Sequence, residues 1–178
     1  MQNNKSAITY GVIAGLIYCV LSTVSWVMGT SAYTGFMMIY TWVPVIFILM
    51  LVGAFQERKA KGGYASFKEI LRFVFLAYIT YEVIYMIYYV LLYQIIDTSL
   101  SQKVLQESLE KTRAFMEKMG ASETDIDKAM DKAREQGETS IFQQVFLGFG
   151  LALVFDFIKA AIIAAIVKKE KEADQMFS

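Results

Sequence analysis

Four apolar runs constrain this chain more than any other feature. They cover Ile8–Met28, Met37–Phe55, Phe73–Ile96 and Phe142–Val167. Each is long enough to cross a hydrocarbon layer of about 30 Å at about 1.5 Å per residue. A chain of 178 residues has no interior that can hide four such stripes from water. The expected fold class is an all-α membrane protein, a single membrane domain over 1–178. Four transmembrane helices (8–28, 37–55, 73–96, 142–167) carry an extramembrane helical hairpin, 97–141, inserted between the third and fourth. The first run has only Lys5 ahead of it, and Thr30-Ser31-Ala32 behind it faintly resembles a cleavage site. Yet it extends over about 21 residues and carries Tyr10, Gly11 and Tyr18, which fits a retained helix better than a short signal core.

Hydrophobic residues make up 56% of the chain and charged ones 19%, and the 17 Lys and Arg balance the 17 Asp and Glu. No global positive field points to nucleic acid. There is no histidine, and the one cysteine, Cys19, lies inside the first run. An intrachain disulfide is therefore excluded, as are the usual zinc and iron–sulfur sites and nucleophiles activated by histidine. No cofactor is expected, and no nucleophile or phosphate loop supports an enzyme.

The lysines and arginines suggest an orientation. Arg58, Lys59 and Lys61, and again Lys168, Lys169 and Lys171, abut the ends of runs, where basic residues favour the cytoplasm. Ten of the 17 acids fall between Asp97 and Glu138. Both termini are therefore expected inside, with the uncharged link Gly29–Phe36 and the insertion outside. Trp26 suits an interfacial anchor there and Trp42 sits deeper. Pro44, the only proline, is expected to kink the second span.

Local signals place helix ends. Ser66 with Glu69 outlines a capping box ahead of the third run, and the amphipathic Phe67, Ile70 and Leu71 follow. Between Tyr64 and Met119 neither glycine nor proline interrupts the chain, so the third helix is free to continue into the insertion. There Leu105, Leu109, Thr112, Met116 and Met119 fall at heptad-like spacing, and Gly120 suits a C′ stop. Ser122 with Asp125 suggests a new N-cap. Ile126, Ala129, Met130 and Ala133 then form a second stripe, ending at Gly137.

These elements together carry a family resemblance. Tyr64-Ala-Ser-Phe-Lys-Glu69, the tyrosine-rich third run ending at Ile95-Ile96-Asp97, the corner Met119-Gly-Ala-Ser-Glu-Thr-Asp-Ile126 and the close Ala164-Ala-Ile-Val-Lys-Lys169 occur in order. The chain resembles a Bacteroidetes family of four-helix membrane proteins called domain of unknown function 4199. The resemblance implies an inner-membrane protein with a periplasmic helical insertion, and brings no catalytic residues.

Three ionisable residues fall within the runs: Glu82 in the third, Asp156 and Lys159 in the fourth. Each costs about 2.5–3.5 kcal/mol in lipid by insertion scales, so such groups pair or face a cavity. Counted from Arg72 and Lys168, Glu82 and Lys159 lie roughly 15 Å and 13.5 Å deep, which suggests an interhelical pair. Asp156 and Lys159, three apart, share a helix face. Two carboxyls with one ammonium leave one negative charge in excess, which favours keeping one carboxyl protonated. Tyr78, Tyr85 and Tyr89 flank Glu82 as candidate hydroxyl donors. The cluster reads either as a proton or cation relay or as a registry device between two helices.

Gly11 and Gly15, with Ala160 and Ala164, have the small-residue spacing that lets helices approach closely, and Gly148 and Gly150 suit the same role. The expected function is that of a non-enzymatic structural or interaction protein. Its partners are the bilayer and a periplasmic protein or a second copy, through the hairpin. The alternative is a small proton- or cation-coupled transporter or channel subunit using Glu82, Asp156 and Lys159.

Overall fold

The computed structural model describes residues 2–42, 44–137 and 141–170. Seven α-helices are present among them: α1 (Gln2–Val27), α2 (Thr30–Trp42), α3 (Val45–Ala60), α4 (Phe67–Leu91), α5 (Leu100–Lys118), α6 (Glu123–Gly137) and α7 (Ile141–Val167). A π-helical turn, Leu92–Ile96, extends α4. Three stretches are long and apolar enough to cross a membrane: Asn4–Val27, Phe67–Ile96 and Val145–Val167. Thr30–Tyr40 and Val45–Ala60 supply a fourth only when taken together. The chain is a multi-pass membrane protein.

Several expected boundaries are redrawn. The second run, 37–55, is divided between α2 and α3, and the break falls at Pro44, where an interruption is expected. Pro44 is the N-cap of α3, and its carbonyl accepts the Ile48 N–H at 2.9 Å. Proline has no N–H to give, so a helix start accommodates it where a helix interior does not. The link Gly29–Phe36 is helical from Thr30 onward; Gly29 alone turns the chain, with φ at +109°. The third helix does not run on into the insertion, for a reason given below. The Trp42 side chain, residues 138–140 between α6 and α7, and Lys171 lie outside the described residues.

The helices form two compact units. One draws on Met1–Cys19, Val43–Met86 and Gly148–Ser178. Its core holds Met50, Ile70, Phe73, Val74, Tyr78, Ile163 and Val167, and alanines 14, 77, 160 and 164. α7 is apolar all round, yet Asp156, Ala160, Ile163, Ala164 and Val167 fall on one buried stripe at three- and four-residue steps. Phe155, Ile158, Ile162 and Ile166 lie exposed around it, as lipid-facing residues would. Glycines set how closely the helices approach. A methyl group added at Gly11 would lie 2.5 Å from the Thr80 Cβ, and one at Gly15 2.7 Å from the Ile84 Cγ2. Among the described residues nothing lies within 4 Å of a methyl group added at Gly148 or Gly150, so the close-packing role expected of them is corrected.

Backbone and caps lock one end of this unit. Ala65 and Lys169 exchange two N–H···O bonds of 2.9 Å, tying the α3–α4 loop to the chain leaving α7. Arg58 donates to the Val167 carbonyl at 3.0 Å, satisfying one of the carbonyls that a helix end leaves without a partner. Ser66 and Glu69 bond each other reciprocally, the Ser66 N–H to the Glu69 carboxylate at 2.8 Å and the Glu69 N–H to the Ser66 hydroxyl at 3.4 Å. That is a closed capping box opening α4.

The other unit comprises Val20–Trp42 and Ile87–Leu147. Tyr33, Leu92, Tyr93 and Leu100 form its buried centre, with Trp26, Met37, Tyr88, Tyr89 and Val104 packed against them. α5 lies against both α2 and α6. Gly120 takes φ +76° immediately after α5, and Ala121 N–H returns to the Met116 carbonyl at 3.0 Å. Ser122 caps α6 by accepting the Asp125 N–H at 3.3 Å.

Candidate functional site

Buried faces of α4 and α7 carry the intramembrane acids. α7 carries Asp156, only 1% exposed, on its buried stripe, and Lys159 three residues on. The Lys159 ammonium donates to Asp156 Oδ1 at 2.7 Å and lies 5.3 Å from the centre of the Tyr78 ring. Its side chain keeps 45% of its surface exposed, so the aliphatic stem runs outward while the charge turns back. From α4, the buried Glu82 carboxyl interacts electrostatically with both Asp156 and Lys159. Asp156 Oδ2 is buried and takes no N–H or O–H from the described residues.

The partners therefore differ from the ones that depth alone suggests. Matched depth pairs Glu82 with Lys159; the structure places Asp156 between them. The ion pair lies within α7, and Glu82 on α4 forms none among the described residues. The site thus gathers two acids beside one fixed cation.

The flanking tyrosines divide. Tyr78 supplies a ring face to Lys159. Tyr85 stands edge-on to Tyr18, centroids 4.9 Å apart, and stacks on Tyr81. Tyr89 belongs to the other unit and stacks on Tyr93 at 4.2 Å. Among the described residues no group of three His, Cys, Asp or Glu is arranged to hold a metal ion.

A second polar centre, not singled out from the sequence, lies at Asp97. Its Oδ1 accepts the Ser99 hydroxyl at 2.6 Å and the Ser99 N–H at 3.2 Å. Its Oδ2 takes the Trp26 indole N–H and the Lys103 ammonium, both at 3.3 Å. The Ser99 bond, then those of Trp26 and Lys103, hold the carboxyl down at about 2, against an ordinary 3.8. These bonds stop the third helix: the Asp97 side chain takes a backbone donor that a continuing helix would use. Asp97-x-Ser99 is the local signal that marks such a turn.

From this point α5 runs along α2. Lys111 donates to the Thr34 hydroxyl at 2.9 Å and to the Ser31 carbonyl at 3.3 Å, and pairs with Glu107 at 3.2 Å. The hydrogen bond from Ser31, then Lys111, lower the Glu107 carboxyl. Arg113 bridges Glu117 on α5 and Glu123 on α6. Ile126 and Met130 are buried, so the α6 stripe is used in packing. The α5 stripe is used only in part, since Met119 is 72% exposed; nearby Phe115 is 63% exposed.

No curated protein and no solved structure compared with the chain matches it. The model of a family described as a protein of unknown function, DUF4199, matches residues 9–169, and the chain belongs to that family.

Proposed function

We propose that this protein is a non-enzymatic interaction protein of the bacterial inner membrane. In this reading both termini are cytoplasmic, and α5 and α6 stand in the periplasm as a helical hairpin. The observation that carries it is the α5–α6 corner. Phe115 and Met119 stay exposed in a segment otherwise dominated by charged residues, outside every stretch apolar enough to cross the membrane. Exposed apolar side chains rimmed by charge mark contact surfaces more often than exposed ones in isolation. Lys111 and Asp97 fix the segment at two points on α2 and α1, so the corner is presented rather than trailing. The partner is a periplasmic protein or a second copy of this chain.

A photo-crosslinking amino acid at Phe115 or Met119, in the full-length protein in cells, tests this. A discrete crosslinked species that disappears with Met119→Glu supports the reading. No discrete species from either position, with residues 98–140 deletable at no cost to fitness, removes it.

A second reading rests on Asp156. A carboxylate 1% exposed, with one oxygen unmatched and a second acid against it, is costly in lipid and has the chemistry to hold a proton or a small cation. On this reading the protein is a small proton- or cation-coupled transporter or channel subunit. Cysteines placed beside Glu82 and Asp156 must then react with soluble thiol reagents from at least one side of the membrane. Complete protection from both sides refutes it.

A further inference from the structure

We propose that the end of the first unit formed by the α3–α4 loop, the start of α4 and the end of α7 binds the phosphate-bearing headgroup of an anionic phospholipid from the protein's own membrane. Three separate chain segments supply the charge. The paired backbone bonds between Ala65 and Lys169, and the Arg58 bond to the Val167 carbonyl, hold these segments at one place. Basic residues scattered over more than a hundred positions in sequence therefore share one surface.

Ion pairing within that surface is unequal. Lys61 pairs with two acids, Glu69 of α4 at 2.8 Å and Glu57 of α3 at 3.9 Å, and the exposed Glu170 next to Lys169 is a third carboxylate at this end. Lys59, Lys68, Arg72 and Lys168 are exposed and have no ion pair among the described residues. Arg58 lies over the Phe55 ring and Lys169 over the Tyr64 ring, both with centroids about 5 Å away, so aromatic faces steady two further cations at the rim. The uncompensated charge is positive, and it belongs to a surface where apolar helices end.

That last point selects the occupant. Ile162 and Ile166 are exposed on α7, six and two residues before Lys168, and Phe55 is exposed near the end of α3. A lipid seated here lays its acyl chains along those side chains and its phosphate among the lysines. A soluble anion uses only the second half of the site. Basic residues beside a membrane attract anionic lipid at about 1 kcal/mol each, which corresponds to about fivefold in affinity per charge.

The test uses the full-length protein in phosphatidylcholine nanodiscs, with phosphatidylglycerol titrated in and retained lipid read by native mass spectrometry. Selective retention of phosphatidylglycerol is expected. Lys68→Gln/Lys168→Gln should weaken it at least tenfold, at about fivefold per charge. Lys68→Arg/Lys168→Arg should restore it, which separates lost charge from lost fold. Lys128→Gln/Lys132→Gln on α6 should leave it unchanged. Equal retention of the two lipids overturns the proposal, as does an equal loss in the α6 variant. Stabilisation by inorganic phosphate alone that matches stabilisation by the lipid reassigns the site to a soluble anion and also overturns it.

Discussion

Lys159→Met is the most informative single change, because the structure assigns the ammonium to one partner and sequence depth assigns it to another. Removing one member of a fully buried ion pair costs about 3–5 kcal/mol. Here Asp156 is buried but the Lys159 side chain is 45% exposed, so solvent or headgroups already screen part of the interaction. A loss of about 1–2 kcal/mol is the reasonable expectation for a pair with one screened member. For a chain of this length that corresponds to about 2–8 °C in melting temperature, at about 2–4 °C per kcal/mol.

The assay is a pair of double-mutant cycles read as thermal unfolding in one detergent. In the first, Asp156→Asn is combined with Lys159→Met. The 2.7 Å bond predicts a coupling of about 1 kcal/mol or more, with the double variant recovering most of what Lys159→Met loses. In the second, Glu82→Gln replaces Asp156→Asn. Glu82 forms no ion pair with Lys159 among the described residues and shares Asp156 with it as a neighbour, so coupling should be clearly smaller than in the first cycle. Alone, Glu82→Gln should be neutral or stabilising, because it removes one of two buried acids set beside a single ammonium. A larger coupling for Glu82 than for Asp156, or strict additivity in both cycles, refutes this assignment.

Three further outcomes follow from other parts of the molecule. Gly11→Leu should lower stability by about 1–3 kcal/mol through overpacking against Thr80 and Ala77, whereas Gly148→Ala, with open space around it, should stay within about 0.5 kcal/mol; equal effects in thermal unfolding would contradict the packing described. Ser66→Ala opens the capping box and should cost about 1 kcal/mol, with hydrogen exchange increasing at the first turn of α4 and not at α7. At Asp97 the folded carboxyl titrates lower than the ordinary one, so its stabilisation is complete above about pH 4 and is lost as the pH falls from 3.8 towards about 2. Trp26 fluorescence, measured in a Trp42→Phe background, should report that step, and Asp97→Asn should abolish it; a midpoint above pH 4 would count against the Trp26–Asp97 bond.

Much of the helical outline was legible because its signals are local. Ser66 with Glu69, Gly120 at positive φ and Ser122 with Asp125 each act within a turn of backbone, and each occurs where the spacing places it. Pro44 was legible as an interruption but not as a helix start. A missing N–H is equally compatible with a kink and with a first turn, and the sequence alone does not choose between them. The end of the third helix escaped for a related reason. The absence of glycine and proline permits a helix to continue, yet an aspartate two residues before a serine ends it by offering the backbone a different partner.

The charge site shows where sequence reasoning runs out in physical terms. Rise per residue converts position into depth, and depth alone matched Glu82 with Lys159. Which side chain meets which is set by rotation about the helix axis as well. On α7 that rotation is fixed by the buried stripe of Ala160, Ile163, Ala164 and Val167, which carries Asp156 with it and leaves Lys159 at the edge. Small residues at steps of three and four thus decide the electrostatics of the site, because they determine the face that turns inward. Read that way, the alanines are the stronger pointer to Asp156, since a carboxylate in register with a small-residue stripe is carried into the interface whatever its depth.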